Sequence, residues 1–135
     1  MRTVKDLMSK WTPALHERDY LSRAVDQILS SGHTGLPVVD DNNRLVGFLS
    51  EQDCIRSLAS SSYHCDNWVR ISDIMSRNPV SVTPEMSELA LANLFSEQKP
   101  KVYPVVDKND RVLGVLTRSR VMAALNDQLK ACRVA

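Results

Sequence analysis

Pro37-Val38-Val39-Asp40-Asp41-Asn42-Asn43-Arg44-Leu45-Val46-Gly47-Phe48-Leu49 returns 67 residues later as Pro104-Val105-Val106-Asp107-Lys108-Asn109-Asp110-Arg111-Val112-Leu113-Gly114-Val115-Leu116, with 8 identities in 13 positions and no gap. The same shift lays Val4-Lys5-Asp6-Leu7-Met8-Ser9 over Ile71-Ser72-Asp73-Ile74-Met75-Ser76. Such a match marks a tandem duplication of one supersecondary unit. Two copies fall short of the roughly three that a solenoid needs. The expected arrangement is a closed pseudo-two-fold pair in which each half covers the other's apolar face.

Each copy predicts the same order of elements. A short apolar stretch comes first, Ala14-Leu15 in copy one and Val80-Ser81-Val82 in copy two. An amphipathic helix follows, with Leu21, Ala24, Val25, Ile28 and Leu29 on one face. Its counterpart carries Leu91, Leu94 and Phe95, and Thr83-Pro84 is expected to supply its cap and first-turn proline. Two β-rich runs, 36–39 and 44–50, flank the Asp/Asn cluster of residues 40–43, the composition of a hairpin turn that residues 107–110 repeat. Closing helices are expected over about 51–58 and about 119–129. The fold class is therefore α/β (α+β), a β-α-β-β-α unit occurring twice. The expected divisions are 1–62 for the first repeat with its N-terminal segment, 63–70 for a linker, and 71–135 for the second repeat with a C-terminal helical tail. Ser60-Ser61-Ser62-Tyr63-His64-Cys65-Asp66-Asn67 reads as the polar joint between copies.

Composition excludes several classes. Of 135 residues, 43% are hydrophobic and 24% charged, with a net charge of +1, the balance of an ordinary soluble globular chain. No run approaches the ~18 consecutive apolar residues of a membrane span. The first six residues carry no apolar signal core, so export is not expected and a cytoplasmic setting is. Near-neutral charge argues against a dedicated nucleic-acid binder. The charge is uneven: residues 1–67 hold 7 basic and 9 acidic side chains (−2), and residues 68–135 hold 10 and 7 (+3), so a cleft between the halves would attract anions. Cys54, Cys65 and Cys132 have the spacing of neither a disulfide framework nor a zinc site. Tyr63-His64-Cys65-Asp66 has no second Cys/His cluster to complete a coordination sphere. With four glycines, the chain offers no Gly-rich phosphate loop, and Gly47 and Gly114 instead suggest close backbone approach.

A unit ending in Pro-Val-Val-Asp, a polar turn and Gly-Phe48-Leu49-Ser50-Glu51-Gln52-Asp53 resembles a cystathionine-β-synthase (CBS) domain, and two in tandem resemble a Bateman module. The resemblance runs from about Met1 to Asp127. It implies a ligand-binding regulatory module that is not an enzyme and needs no obligatory cofactor. The implied ligand is an adenine nucleotide (AMP or ATP first, ADP, or S-adenosylmethionine) held between the repeats. It further implies a homodimer formed through helices, with Val121–Leu125 and Cys54–Ala59 as apolar contact stretches, and a regulated partner protein of unknown identity. A ligand-free dimerisation module is the alternative.

The resemblance also assigns residues. Ser50 would meet the first phosphate and Asp53 the ribose diol. A helix start suits a phosphate on physical grounds, because its N–H groups are unpaired. Ser50 and Asp53 also spell a capping box, which binds nothing, and the two roles are compatible. Pro79, Val80, Val82 and the segment around Pro104 would enclose the adenine, although apolar strand residues also serve a core. Lys101, with Lys99 near it, is the candidate phosphate contact, and His33 is its counterpart before Pro37. The second copy keeps a hydroxyl at Thr117 but has Arg120 where the acid belongs. A guanidinium has no acceptor and cannot take a proton from a diol. One nucleotide site is therefore expected, with Arg118 and Arg120 either reaching its phosphates or pairing with carboxylates.

Overall fold

The first repeat consists of α1 (Val4–Leu7), β1 (Leu15–His16), α2 (Leu21–Ser31), β2 (Gly35–Val39), β3 (Leu45–Ser50) and α3 (Glu51–His64). The second consists of α4 (Ile71–Ile74), β4 (Ser76–Arg77), α5 (Glu88–Glu97), β5 (Val102–Val106), β6 (Val112–Thr117) and α6 (Arg118–Ala131). The computed structural model describes residues 2–10, 13–65, 68–97 and 100–132. Each hairpin turns on one aspartate. Asp40 Oδ1 accepts from the N–H groups of Asn42 (2.8 Å) and Arg44 (3.0 Å), and Asp107 Oδ1 from those of Asn109 (2.8 Å) and Arg111 (3.0 Å). The amide bonds from Arg44 and Arg111 do most to hold the two carboxyls below their ordinary range. The left-handed residue closing each turn is Asn43 (φ 61°) or Asp110 (φ 66°), types whose short polar side chains tolerate that conformation.

The two sheets repeat one design. β2 pairs antiparallel with β3 and β5 with β6, each with a register shift at the second valine of Pro-Val-Val. β1 runs parallel to β2, and in the second sheet Val82 alone makes the equivalent parallel bridge, to Val105. At the opposite edges the leaders, residues 4–9 and 71–77, change places. β4 pairs with β3 of the first repeat, while Ser9 pairs with Val115 of the second, donating to its carbonyl (2.8 Å) and accepting from its N–H (3.1 Å). The hydrophobic cores follow that exchange. Ile71 and Met75 pack with Leu15, Leu36, Val38 and Leu49, and Val4 and Leu7 pack with Tyr103, Val105, Leu116 and Val121. The hairpin tips meet near the pseudo-two-fold axis, where the N–H of Leu45 donates to Asp110 (2.9 Å) and that of Val112 to Asn43 (3.0 Å).

Three expectations need correction. Thr83 and Pro84 do not open α5, which begins at Glu88 with Ser87 Oγ accepting from the N–H of Ala90 (3.2 Å). The intervening chain makes a single turn, Met86 donating to Thr83 (3.2 Å), and the N-terminal leader engages it, since Lys5 donates to Pro84 (3.0 Å) and Val4 to Met86 (3.0 Å). The first closing helix does not stop near Leu58 but runs to His64, so Ser60–His64 is helical. It ends where Cys65 turns left-handed (φ 53°) and returns its N–H to the carbonyls of Ser61 and Ser62; Asp66 and Asn67 lie outside the described residues. Leu29 is 70% exposed and lies off the buried stripe of Leu21, Ala24 and Ile28. Among the described residues no helix is long and apolar enough to cross a membrane.

The exchange explains Gly47 and Gly114. A Cβ on Gly114 would stand 2.2 Å from the Ser9 carbonyl oxygen, and one on Gly47 would stand 2.5 Å from Met75 Sδ and 2.8 Å from the Ser76 oxygen. Backbone cannot yield at such a contact without displacing the leader. Gly114→Ala is expected to lower stability by roughly 1–3 kcal/mol in urea unfolding, the usual cost of overpacking. An unchanged midpoint would show that the leader does not hold that edge.

Candidate functional site

The end of β3 and the start of α3 form a closed capping box. Ser50, in extended conformation, accepts from the N–H of Asp53 at its Oγ (3.1 Å). Asp53 Oδ2 accepts in return from the Ser50 N–H (3.2 Å) and hydroxyl (2.9 Å). The next amide, of Glu51, donates to the Thr34 carbonyl (2.9 Å), which ties the helix start to the residue before β2. The N–H of Gln52 has no intramolecular acceptor among the described residues, the normal state of an amide in a first helical turn.

Beside this helix start lies a crevice of about 470 Å³. The first repeat contributes Thr34, Phe48 and Ser50–Gln52 to its wall. β4 and the chain leaving it contribute Ser76, Pro79 and Val80, and β5 with its approach contributes Pro100, Lys101, Val102 and Pro104. Five of the residues singled out from sequence are thus brought together: Ser50, Pro79, Val80, Lys101 and Pro104. Asp53 stands half-buried one step behind Ser50, with Oδ2 committed to the capping box. Val82 is not in the wall. It is 1% exposed in the second core, because its N–H and carbonyl bond Pro104 (3.0 Å) and Val106 (2.9 Å) along the edge of β5. Lys99 lies outside the described residues.

Thr117, Arg120 and His33 belong to the opposite junction. Thr117 Oγ1 accepts from the Arg120 N–H (3.3 Å), and Arg120 Nη1 donates to the Leu7 carbonyl (3.4 Å). Thr117 and Arg120 are thus absent from the crevice wall. The pseudo-two-fold axis sends the two helix starts to different faces. His33 lines a separate hollow of about 490 Å³ with Ser9, Pro13, Arg23, Asp26 and Gln27. Burial, and secondarily the Arg120 guanidinium, hold the His33 imidazole below its ordinary value of 6.5.

Sequence reasoning missed Phe48, Thr34 and Ser76. Phe48 was recoverable, since it precedes Ser50 by two and so shares its face of β3. Thr34 was recoverable as the repeat partner of Lys101. Ser76 reaches the wall through the leader exchange, which no local pattern reveals. The crevice can hold an elongated ligand with an anionic group at Ser50, Gln52 and Lys101 and an apolar ring near Phe48, Pro79 and Pro104. Among the described residues no three His, Cys, Asp or Glu side chains group as a metal site. His16 is committed, its Nδ1 accepting from the Arg18 N–H (3.2 Å) and its Nε2 meeting Asp41 (2.8 Å).

A family model described as the CBS domain matches the chain twice, over residues 4–60 and 71–127. The solved structure of CBSX2 in complex with AMP is 29% identical, covers 96% of this chain and 99% of its own, and superposes with a TM-score of 0.80. CBSX2 is a CBS-pair protein from Arabidopsis thaliana. The CBS domain pair of protein MJ0100, in complex with 5'-methylthioadenosine and S-adenosyl-L-methionine, is 25% identical over 95% of this chain and 98% of its own, with a TM-score of 0.77. A homoserine O-acetyltransferase from Methanosphaera stadtmanae is 28% identical over 118 residues, 87% of this chain but 23% of that protein. The chain spans about a quarter of the length of the curated relatives it matches first.

Two chemical consequences can be measured. Burial first, then the Asp53 and Glu51 carboxylates, push the Cys54 thiol up to about 11, while Cys65 and Cys132 are exposed. At pH 8 a thiol reagent is expected to label Cys65 and Cys132 in the native protein and Cys54 only after unfolding. Rapid labelling of all three would contradict the packing of α3. His33 resists protonation in the fold, so the unfolded chain binds that proton first and stability falls as pH drops below the ordinary histidine value. An NMR titration is expected to give His33 a midpoint below 6.5 that rises in Arg120→Ala.

Proposed function

The chain belongs to the CBS-domain family, and from that premise we propose that it is a regulatory module whose crevice beside Ser50 binds an adenosine ligand, AMP or ATP first and S-adenosylmethionine as the alternative. The observation that carries this is the meeting of Ser50, Pro79, Val80, Lys101 and Pro104, drawn from both repeats, in one crevice. AMP in CBSX2 and adenosine derivatives in MJ0100 support the ligand class. The phosphate is taken by the Gln52 N–H, the Lys101 ammonium and the Ser50 hydroxyl, whose one proton turns from Asp53 Oδ2 to the phosphate, a combination of helix-start donors and a cation. Asp53 spends Oδ2 on the capping box, and Oδ1 accepts from the ribose hydroxyls. Phe48 and the prolines cover the base.

The role is binding and regulation rather than catalysis. A ligand that touches α3 on one side and the chain between β4 and α5 on the other favours one angle between the repeats over others. A partner protein or a second copy of the chain reads that angle. Exposed apolar side chains on the helices, Ile55 (65%) and Met122 (68%) among them, support self-association. Of the two stretches expected to make that contact, Cys54, Val121 and Ala124 are instead buried in the chain's own cores. The free thiols suit a reducing cytoplasm. The same exposed faces favour, as a second reading, a module that only associates.

Calorimetry and thermal melts with AMP, ADP, ATP and S-adenosylmethionine test the proposal. A ligand at 100 times its Kd is expected to add about 2.7 kcal/mol of stability. Asp53→Asn and Lys101→Ala are each expected to weaken AMP at least about ten-fold, the value of one charge-assisted hydrogen bond. A melting temperature unmoved by all four ligands would leave only the association role.

A further inference from the structure

We propose that Glu51 makes the crevice a charge filter, favouring an adenosine ligand with one phosphate over polyphosphates; this deepens the adenosine-ligand function proposed above and rests on it. Among the described residues lining the crevice, Glu51 and Lys101 carry the charges. Asp53 adds a second carboxylate just behind Ser50. Among the described residues the phosphate end therefore holds two acids, Glu51 and Asp53, against one base, Lys101. At the other junction the same two helical positions are Arg118 and Arg120, so the sign is reversed.

Glu51 is exposed, and its backbone is anchored. It is the first residue of α3, and its amide is anchored to Thr34 (2.9 Å). Glu51 lines the crevice beside Ser50 and the Gln52 N–H, which serve the first phosphate. One phosphate satisfies Lys101. Any further phosphate then meets the Glu51 carboxylate, the other charge that the described lining carries. ATP brings about two more negative charges than AMP. At roughly 8 Å and an effective dielectric constant of about 60, each added charge weakens binding about three-fold. The range between AMP and ATP is then about ten-fold, and salt compresses it.

The test titrates AMP, ADP and ATP, without magnesium, into the wild type, Glu51→Gln and Glu51→Lys at low and high ionic strength. Affinity is expected to fall from AMP to ADP to ATP in the wild type, about ten-fold across the series. Glu51→Gln should raise ADP affinity about three-fold and ATP affinity about ten-fold more than AMP affinity, and Glu51→Lys should raise them further. Both variants keep the capping box of Ser50 and Asp53, and a native melting transition verifies their fold. If AMP binds but ATP binds as tightly, or Glu51→Gln leaves the ratio unchanged, the filter is overturned and the adenosine function stands. If the wild type binds none of the three, the filter falls, and the adenosine function falls with it when S-adenosylmethionine also fails to bind.

Discussion

The close pass of each leader across the other repeat's edge strand is the contact on which the remaining structure depends. At Gly114 the Ser9 carbonyl occupies the space of a side chain, and at Gly47 Met75 and Ser76 do the same. The pass satisfies both polar groups of Val115, which would otherwise form an unpaired edge, and it seats Val4, Leu7, Ile71 and Met75 in cores they do not follow in sequence. It also creates the crevice. Pairing Ser76 with Phe48 brings the following Pro79 and Val80 to the start of α3, where the first repeat presents Ser50.

Much of this was legible because the informative features are local. The hairpins follow from Asp/Asn turns between β-branched runs, and Asp40 and Asp107 make identical bonds in the two copies. The capping box was readable from Ser50 and Asp53 alone. Where reasoning failed, a distant segment had overruled a local preference. Thr83-Pro84 is a sound helix start, yet it completes only one turn, whose Pro84 and Met86 carbonyls accept from the N-terminal leader. Val80 and Val82 share strand parity, yet only Val82 joins the sheet, so one lines the crevice and the other is core. The pattern of Val4 and Leu7 announces burial but does not say in which repeat.

Backbone symmetry is not matched by symmetry of charge. At the start of α3, Glu51 and Asp53 complement the positive end of the helix, and Asp53 returns the bond that Ser50 offers. At the start of α6, Thr117 caps the Arg120 amide, but the arginine has no acceptor with which to reciprocate. Its guanidinium turns instead to the Leu7 carbonyl, binding the junction to the N-terminal leader. Two junctions of one ancestry thus carry different chemistry: a carboxylate that can accept from a diol, and a cation engaged with backbone.

The traded leaders also bear on how such a chain arose. A single ancestral unit could not cover its own exposed strand, whereas two separate copies lending each other their opening turns would leave neither bare. Joining their genes head to tail would alter little in that mutual embrace beyond adding the short connection between Cys65 and Arg70. The present chain is, in this sense, a covalently closed pair of units.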